Sequence, residues 1–558
     1  MSRVMSEVSG HLGRGSPQNS VMNCFFWVLL VVSMTSLVFV AEATLPIPAP
    51  NIPEQCNSIQ NCCMPSPYTG TAGIRLFEFE PNQPWRTRRP AHLLSQFELD
   101  RLERAYDLLR ALPDSDPRSL LNQKNLHCLY CNNALYYPGQ KYPLEIHNGW
   151  YFLPWHRMFL YWHERIIAKV LNDSTFALPF WAWDNQQDTN PPSNVIPPQY
   201  TNPNSSLYDP IRNNCSLVNP YVDFDTRGGI CTNKTADYMR VQNDRLMYTQ
   251  LVVGSPTPAL FYGQPYYFGD FGGKGPGTFE DSPHGAVHAW VGDPYAPPPY
   301  EVLDDMGNFQ RSAYDPVFYA HHSNVDRIWN LWLNIPGGVR THPMSKAFNQ
   351  SQFTFYDENA NLVKMNVSHV LDSDLLRYKF EDFPAPWITN GVKAGKENTV
   401  ALCNPISASA VNSLISKTPK HGSKDQINVT IPYTFKVGRP AKSRKGTEVL
   451  EFSGISIPNA TANVDLKVYL FYPQALSNST AWCPEYVGAW DFIPHIGQAD
   501  YNPKRLWRVA VGPKLKQIGK DYVKSIVVTV VQTTAPPGQN ITFDKARIFY
   551  DLSPRVTL

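Results

Sequence analysis

The chain has 558 residues, of which 43% are apolar and 17% charged, and its net charge is +2 at neutral pH. That length supports two or three domains around a sizeable core. The near-neutral balance argues against nucleic acid as a partner, and 50 prolines with 13% aromatics fit a rigid, loop-rich globular protein rather than a disordered one.

The N-terminus carries Arg3 and Arg14, then the apolar run Cys24–Val40, then Ala41, Glu42 and Ala43. A basic leader, an apolar stretch and an A-x-A site read as a secretory signal peptide over 1–43. No later segment is apolar for long enough to span a bilayer, so no stable membrane insertion is expected after cleavage. Ten Asn-x-Ser/Thr sequons between Asn172 and Asn540 fit a glycoprotein. Of ten cysteines, Cys24 leaves with the leader. Nine is odd, so one is free, paired outside the chain, or used in other chemistry.

Pro46 to about Arg89 reads as loop. Ser95 and Glu98 form a capping box ahead of a helix whose apolar stripe includes Phe97, Leu102 and Leu109. A second helix starts near Pro154 and runs to about Leu171. Residues 186–278, rich in Gly, Pro and Asn, read as long loops. Further helices start at Pro283 and Pro316, capped by Ser282 and Asp315. Residues 390–426 read as an exposed linker open to proteolysis. Beyond come "INVTIPYTF", "TEVLEFSGISI", "DLKVYLFY" and "SIVVTVVQT", which read as strands. The expected architecture is a mainly α catalytic domain over 44–380 with its site in a four-helix bundle. A linker over 381–430 follows, then an all-β sandwich or barrel over 431–558.

Six of fourteen histidines fall into two groups, counting one of the adjacent pair His321–His322. The first holds His127 in "HCLYC", His147 in "IHNGW" and His156 in "PWHRMF". The second holds His284 and His288 in "SPHGAVHAW", plus the pair His321–His322 in "DPVFYAHHSNVD". His284 and His288 are i and i+4, so they share a helix face. Helix neighbours point about 100° apart, so one metal cannot easily hold both His321 and His322. All-imidazole ligation suits copper, with zinc second, and two groups suggest a pair of metals in a helix bundle.

"DPVFYAHHSNVDRIW" resembles the copper-B signature of the type-3 dicopper proteins. "HCLYC", "IHNGW", "LPWHR" and "LPFWAWD" resemble the copper-A half. The likeness is closest to plant polyphenol oxidases, the catechol oxidase and tyrosinase group. It covers residues 55–380, and extends more weakly into the C-terminal part through "VDLKVYLFY" and "EYVGAWDFIPHI". The resemblance implies that His127, His147 and His156 hold copper A, and that His284, His288 and His322 hold copper B. His321 then turns away from the metal. It implies dioxygen between the metals and oxidation of o-diphenols to o-quinones, with O₂ reduced to water.

The resemblance also implies a thioether from Cys131 to His147, which resolves the odd cysteine, and the disulfides Cys56–Cys63 and Cys62–Cys128. Parity and locality add Cys215–Cys231 and Cys403–Cys483. Phe309 matches a gate residue over copper B, and Glu280 a residue that positions a water. Family members often carry Asn at the position of Gly285 and a bulkier residue at that of Ala289. An open pocket and a diphenolase with weak or no monophenol hydroxylation are therefore expected. Tyr378 and Phe380 resemble the motif that closes the catalytic domain. The β domain resembles the shield of a latent pro-enzyme, which makes an activating protease the expected partner beside a small phenol and O₂. The leader favours vacuole or cell exterior, with the thylakoid lumen as the alternative. Rival readings are a tyrosinase, a synthase acting on chalcones or lignans, and a hemocyanin-like oxygen carrier.

Overall fold

A computed structural model describes residues 45–552, apart from 53–61, 63–72, 188, 219, 226–228, 232, 273, 392–405, 423–425, 428–431, 444, 460–462, 497–500 and 535–539. The leader over 1–43 lies outside the described residues. Among those described, no helix is long and apolar enough to cross a membrane.

The catalytic half is built on helices α1 (Gln96–Ala111), α2 (Leu120–Cys131), α3 (Phe152–Leu171), α4 (Ala236–Met247), α5 (Gly285–Val291) and α6 (Val317–Leu333). The capping box before α1 is present: Ser95 Oγ accepts from Glu98 N, and the Glu98 carboxylate accepts from Ser95 N at 2.8 Å. Leu102 and Leu109 are buried, but Phe97 is 70% exposed and packs under Arg101 instead of joining the stripe. The residues read as loop over 186–278 include α4, whose N-terminus is capped by Thr235 Oγ1 accepting from Tyr238 N. α3 packs on α1 and α6, which brings the helices of His156 and His322 side by side.

A buried ionic web locks that packing. Asp326, one turn beyond His322, accepts from Arg157 of α3 at 2.6 Å, from Arg88 at 2.9 Å and from the Tyr378 hydroxyl at 2.5 Å. Arg88 and Arg86 both reach Glu164, at 2.9 and 2.8 Å. Charges this deep persist only when paired and hydrogen-bonded.

The C-terminal half is an all-β sandwich of strands β1 (Tyr433–Gly438), β2 (Thr447–Ile455), β3 (Val464–Leu470), β4 (Tyr486–Phe492), β5 (Arg505–Ala510), β6 (Ser525–Thr534) and β7 (Lys545–Asp551). One sheet runs β4-β3-β6-β1 and the other β5-β2-β7, all antiparallel. Leu466, Val468, Val528 and Trp490 of the first face Leu450, Phe452, Trp507 and Val509 of the second in one core. Every residue of β3 is buried. The alternating Asp465, Lys467 and Tyr469 point the other way, and Tyr469, Tyr486, Ala489 and Val531 join the catalytic core. The first sheet is thus sandwiched between its partner sheet and the helical half.

The segment read as linker is partly ordered: Val411–Lys417 forms a helix that packs on β6 and buries Val411. Cys62–Cys128 and Cys215–Cys231 are disulfides, with Cα–Cα distances of 5.1 and 5.3 Å. Cys483 is disulfide-bonded. Cys56, Cys63 and Cys403 lie outside the described residues.

Candidate metal centre

His127 lies on α2, His147 on the irregular segment after it, and His156 in the first turns of α3. His284 and His288 follow a break in the helix. Ser282 is extended (φ −161°, ψ 131°), so the chain restarts its helix after Pro283. The two rings then meet edge to face on one side of the helix, with centroids 4.6 Å apart and planes at 70°.

In five of the six rings Nδ1 donates to an oxygen. His127 donates to Phe309 O at 3.2 Å, His147 to Glu280 Oε1 at 2.9 Å and His156 to Phe152 O at 2.8 Å. His284 donates to Glu280 O at 3.2 Å and His288 to Met306 O at 2.6 Å. Carbonyl oxygens only accept, and Glu280 Oε1 also takes the Asn148 N–H at 2.8 Å. The proton therefore sits on Nδ1, and Nε2 keeps its lone pair. Nε2 of His147, His156 and His284 is buried with no protein partner. An unmet buried acceptor costs about 1–3 kcal/mol, which a cation would remove.

The ligand-capable atoms of His127, Cys131, His147 and His156 lie within 4.8 Å of one another, as do those of His284, His288, His321 and His322. Burial pushes the ring pKa of His156 down to about 3 and that of His288 to about 4, and it holds His127, His147, His284 and His322 well below their usual value. The rings are neutral, the form in which imidazole binds metal. Two imidazole-rich groups with oriented Nδ1–H bonds fit copper; neither contains a carboxylate, and Cys131 is the one sulfur beside the first group's three rings.

His321 does not turn away as expected. Its ring lies 4.7 Å from that of His288 and 5.4 Å from that of His284, and both its nitrogens are buried without partners. Neighbouring side chains do diverge by about 100° on a helix, but His284 and His288 lie across that whole sector of α6. His322 occupies the inner side, stacked on His156 at 4.3 Å, with its Nε2 3.2 Å from that of His288. His321 occupies the outer side, against Trp183.

Phe309 meets the site from the first group rather than over the second, with its ring 4.2 Å from that of His147. Cys131 forms no disulfide, and its buried sulfur lies within the first group.

The open pocket expected at Gly285 and Ala289 is not there. Asp491 O of β4 presses on Gly285, and the Ala289 carbonyl faces Gly229. Trp490, Asp491, Phe492 and Ile493 close the cavity walled by His147, Glu280, His284 and Phe309. His495 lies 4.7 Å from the Phe309 ring and 3.2 Å from Asn133 Nδ2, and Ile496 O accepts from Asn132 Nδ2. Asp281, which sequence reasoning passed over, is a buried carboxyl on that wall whose pKa burial pushes well up. Asp281 reaches the wall on the same short segment as Glu280 and His284, whereas no local pattern marks Asp491 or His495, because only the docking of the two halves brings them to the site.

The common central domain of tyrosinase matches residues 117–335. The polyphenol oxidase middle domain matches 347–393, and the chloroplastic polyphenol oxidase C-terminal domain 425–550. The chain is 36% identical over 507 residues to the chloroplastic polyphenol oxidase of Vitis vinifera, covering 87% of this chain and 80% of the relative. It is similar to the solved latent apple tyrosinase, with a TM-score of 0.75 at 32% identity over 86% of this chain and all of that one. It is similar also to a latent aurone synthase, at 0.77 and 28% identity over 91% of this chain and all of that one.

These matches correct the expected destination. The C-terminal match is to a chloroplastic type, and the polyphenol oxidases of grape and apple and the catechol oxidase B of potato are all named chloroplastic. That points to the plastid, not to a secretory route ending in vacuole or cell exterior. The apolar run Cys24–Val40 does not by itself say which membrane is crossed.

Proposed function

The chain belongs to the plant polyphenol oxidase family, and on that premise we propose that His127, His147 and His156 hold one copper and His284, His288 and His322 the other. The protein is a copper-dependent oxidoreductase that converts o-diphenols to o-quinones with reduction of O₂ to water. When bound, the copper pair carries electrons from two o-diphenols to one O₂, so that two o-quinones and two waters result.

The observation that carries the ligand assignment is the set of inward Nε2 atoms, five of them on rings whose Nδ1–H is already committed to an oxygen. His322 is preferred over His321 because it faces the space between the groups, stacked on His156. Glu280 acts on the site through His147: its carboxylate holds that imidazole and the Asn148 N–H together. Burial raises the Glu280 pKa, and the hydrogen bond from Asn148 N–H opposes that rise. A thioether from Cys131 to His147 would fix the same ring covalently, and the thiol's place in the first group supports it. Phe309 narrows access by lying on His147.

The β domain over 431–558 shields the site of the catalytic domain over 44–380. A protease cutting the segment between about 385 and 430 is the activating partner. Gly285 offers no polar side chain toward a phenol, which supports a diphenolase with little monophenol hydroxylation.

Oxygen uptake by the copper-loaded protein, before and after limited proteolysis, tests this reading against monophenols, o-diphenols and chalcones. The result expected is o-diphenol turnover that rises on cleavage. Two bound coppers without turnover of any phenol would replace it with an oxygen carrier. Chalcones belong in the panel because of the likeness to an aurone synthase.

A further inference from the structure

One short turn serves both halves of the metal centre. Met306 O accepts from His288 Nδ1 at 2.6 Å, and Phe309 O accepts from His127 Nδ1 at 3.2 Å. His288 belongs to the second group and His127 to the first. Two backbone carbonyls three residues apart thus orient one ring in each group. What holds the turn is the side chain between them. Asn308 is fully buried, its Nδ2 donates to Asp304 Oδ1, and its Oδ1 accepts from Arg311 N at 3.2 Å. The other Asp304 oxygen accepts from Glu301 N at 3.0 Å and lies 3.3 Å from Arg311 Nε. Backbone bonds from Gly307 N to Leu303 O and from Ser312 N to Asn308 O close both ends, at 2.7 and 3.1 Å.

We propose that Asn308 is a positioning residue for both metal sites at once: by bridging Asp304 to the backbone of Arg311 it fixes the carbonyls that orient His288 and His127. A carbonyl bonded to Nδ1 sets the ring's tautomer and its rotation, and partners of this kind carry about 10–100-fold in metal affinity. A carboxamide suits the place because it donates to a carboxylate and accepts from a backbone N–H in one plane. Aspartate there would set two buried carboxylates against each other, and alanine would leave the Arg311 N–H unpaired.

The inference rests on His127 and His288 being copper ligands. That is checked separately by copper counts of His127→Ala and His288→Ala, each of which loses one of two coppers. The test of Asn308 is a chelator titration of the copper-loaded full chain, with copper per chain measured alongside unfolding by urea. Asn308→Ala and Asn308→Asp are expected to release copper from both sites together, at chelator concentrations about tenfold lower than the native chain. The exchange Asp304→Asn with Asn308→Asp reverses donor and acceptor and restores the bridge, so it is expected to return copper retention to the native level. A fall in urea midpoint with unchanged copper retention would overturn the proposal, as would loss confined to one site. If the single variants do not fold, a folded double exchange that still sheds copper early overturns it too.

Discussion

A methyl carbon placed on Gly285 would stand 2.7 Å from the carbonyl oxygen of Asp491 and 3.1 Å from its Cβ. The residue after the first histidine of the second group is thus the seat of the shielding strand. Gly285→Ala adds about 1 kcal/mol of helix propensity to both the shielded and the cleaved enzyme, so that gain cancels between them. The overpacking, about 1–3 kcal/mol, falls on the docked state alone. The uncut variant is expected to be about tenfold more active relative to its own proteolysed form than the native chain is. An unchanged ratio would show that the strand yields without cost.

The two neighbours on α6 are expected to separate in a copper count. His322→Ala loses one copper per chain. His321→Ala keeps both and lowers stability by roughly 2–4 kcal/mol, since it empties a buried ring volume beside Trp183. Metal analysis beside a urea melt checks this, and the opposite pattern would reverse the assignment.

Glu280 separates two contributions. In Glu280→Gln the side-chain carbonyl still accepts from His147 Nδ1 and Asn148 N, so kcat is expected to fall only a few-fold. Glu280→Ala leaves both donors unpaired, and kcat/KM is expected to fall about 10–100-fold. Steady-state kinetics on the proteolysed enzyme distinguishes the pair, and equal losses would mean that the charge itself matters.

Asp326→Ala removes the hinge of the buried ionic web: it leaves the buried Arg157 with no carboxylate and the buried Arg88 with Glu164 alone. A loss of about 3–5 kcal/mol is expected in urea unfolding. Tyr378→Phe removes one hydrogen bond to the same carboxylate, for about 1.5–3 kcal/mol.

Peptide mapping of the purified enzyme is expected to find Cys131 joined to His147 and unavailable to alkylation after unfolding. An alkylated Cys131 would leave His147 held by Glu280 alone.

Much of the site was legible because its signals are local. The box of Ser95 and Glu98, the i, i+4 spacing of His284 and His288, and alternation along Asp465–Leu470 each depend on a few adjacent residues. The misreadings share one cause. Phe97 fits the helical stripe but faces solvent, because among the described residues no element covers that end of α1. His321 fits the outward side of α6, yet faces the site because the His284 helix lies across it. Gly285 reads as open space until β4 occupies it.

The sequence by itself determined which side chains could be ligands, which helices carry His156, His284, His288 and His322, and that an all-β domain follows, since periodicity, capping and strand alternation act over one or two turns. The tertiary structure alone decided which ring nitrogen turns inward, that Met306 and Phe309 lend their carbonyls to opposite groups, and that a distant strand closes the pocket. Those outcomes follow from desolvation and from oxygens supplied by packed neighbours far away in the chain, and no run of adjacent residues encodes them.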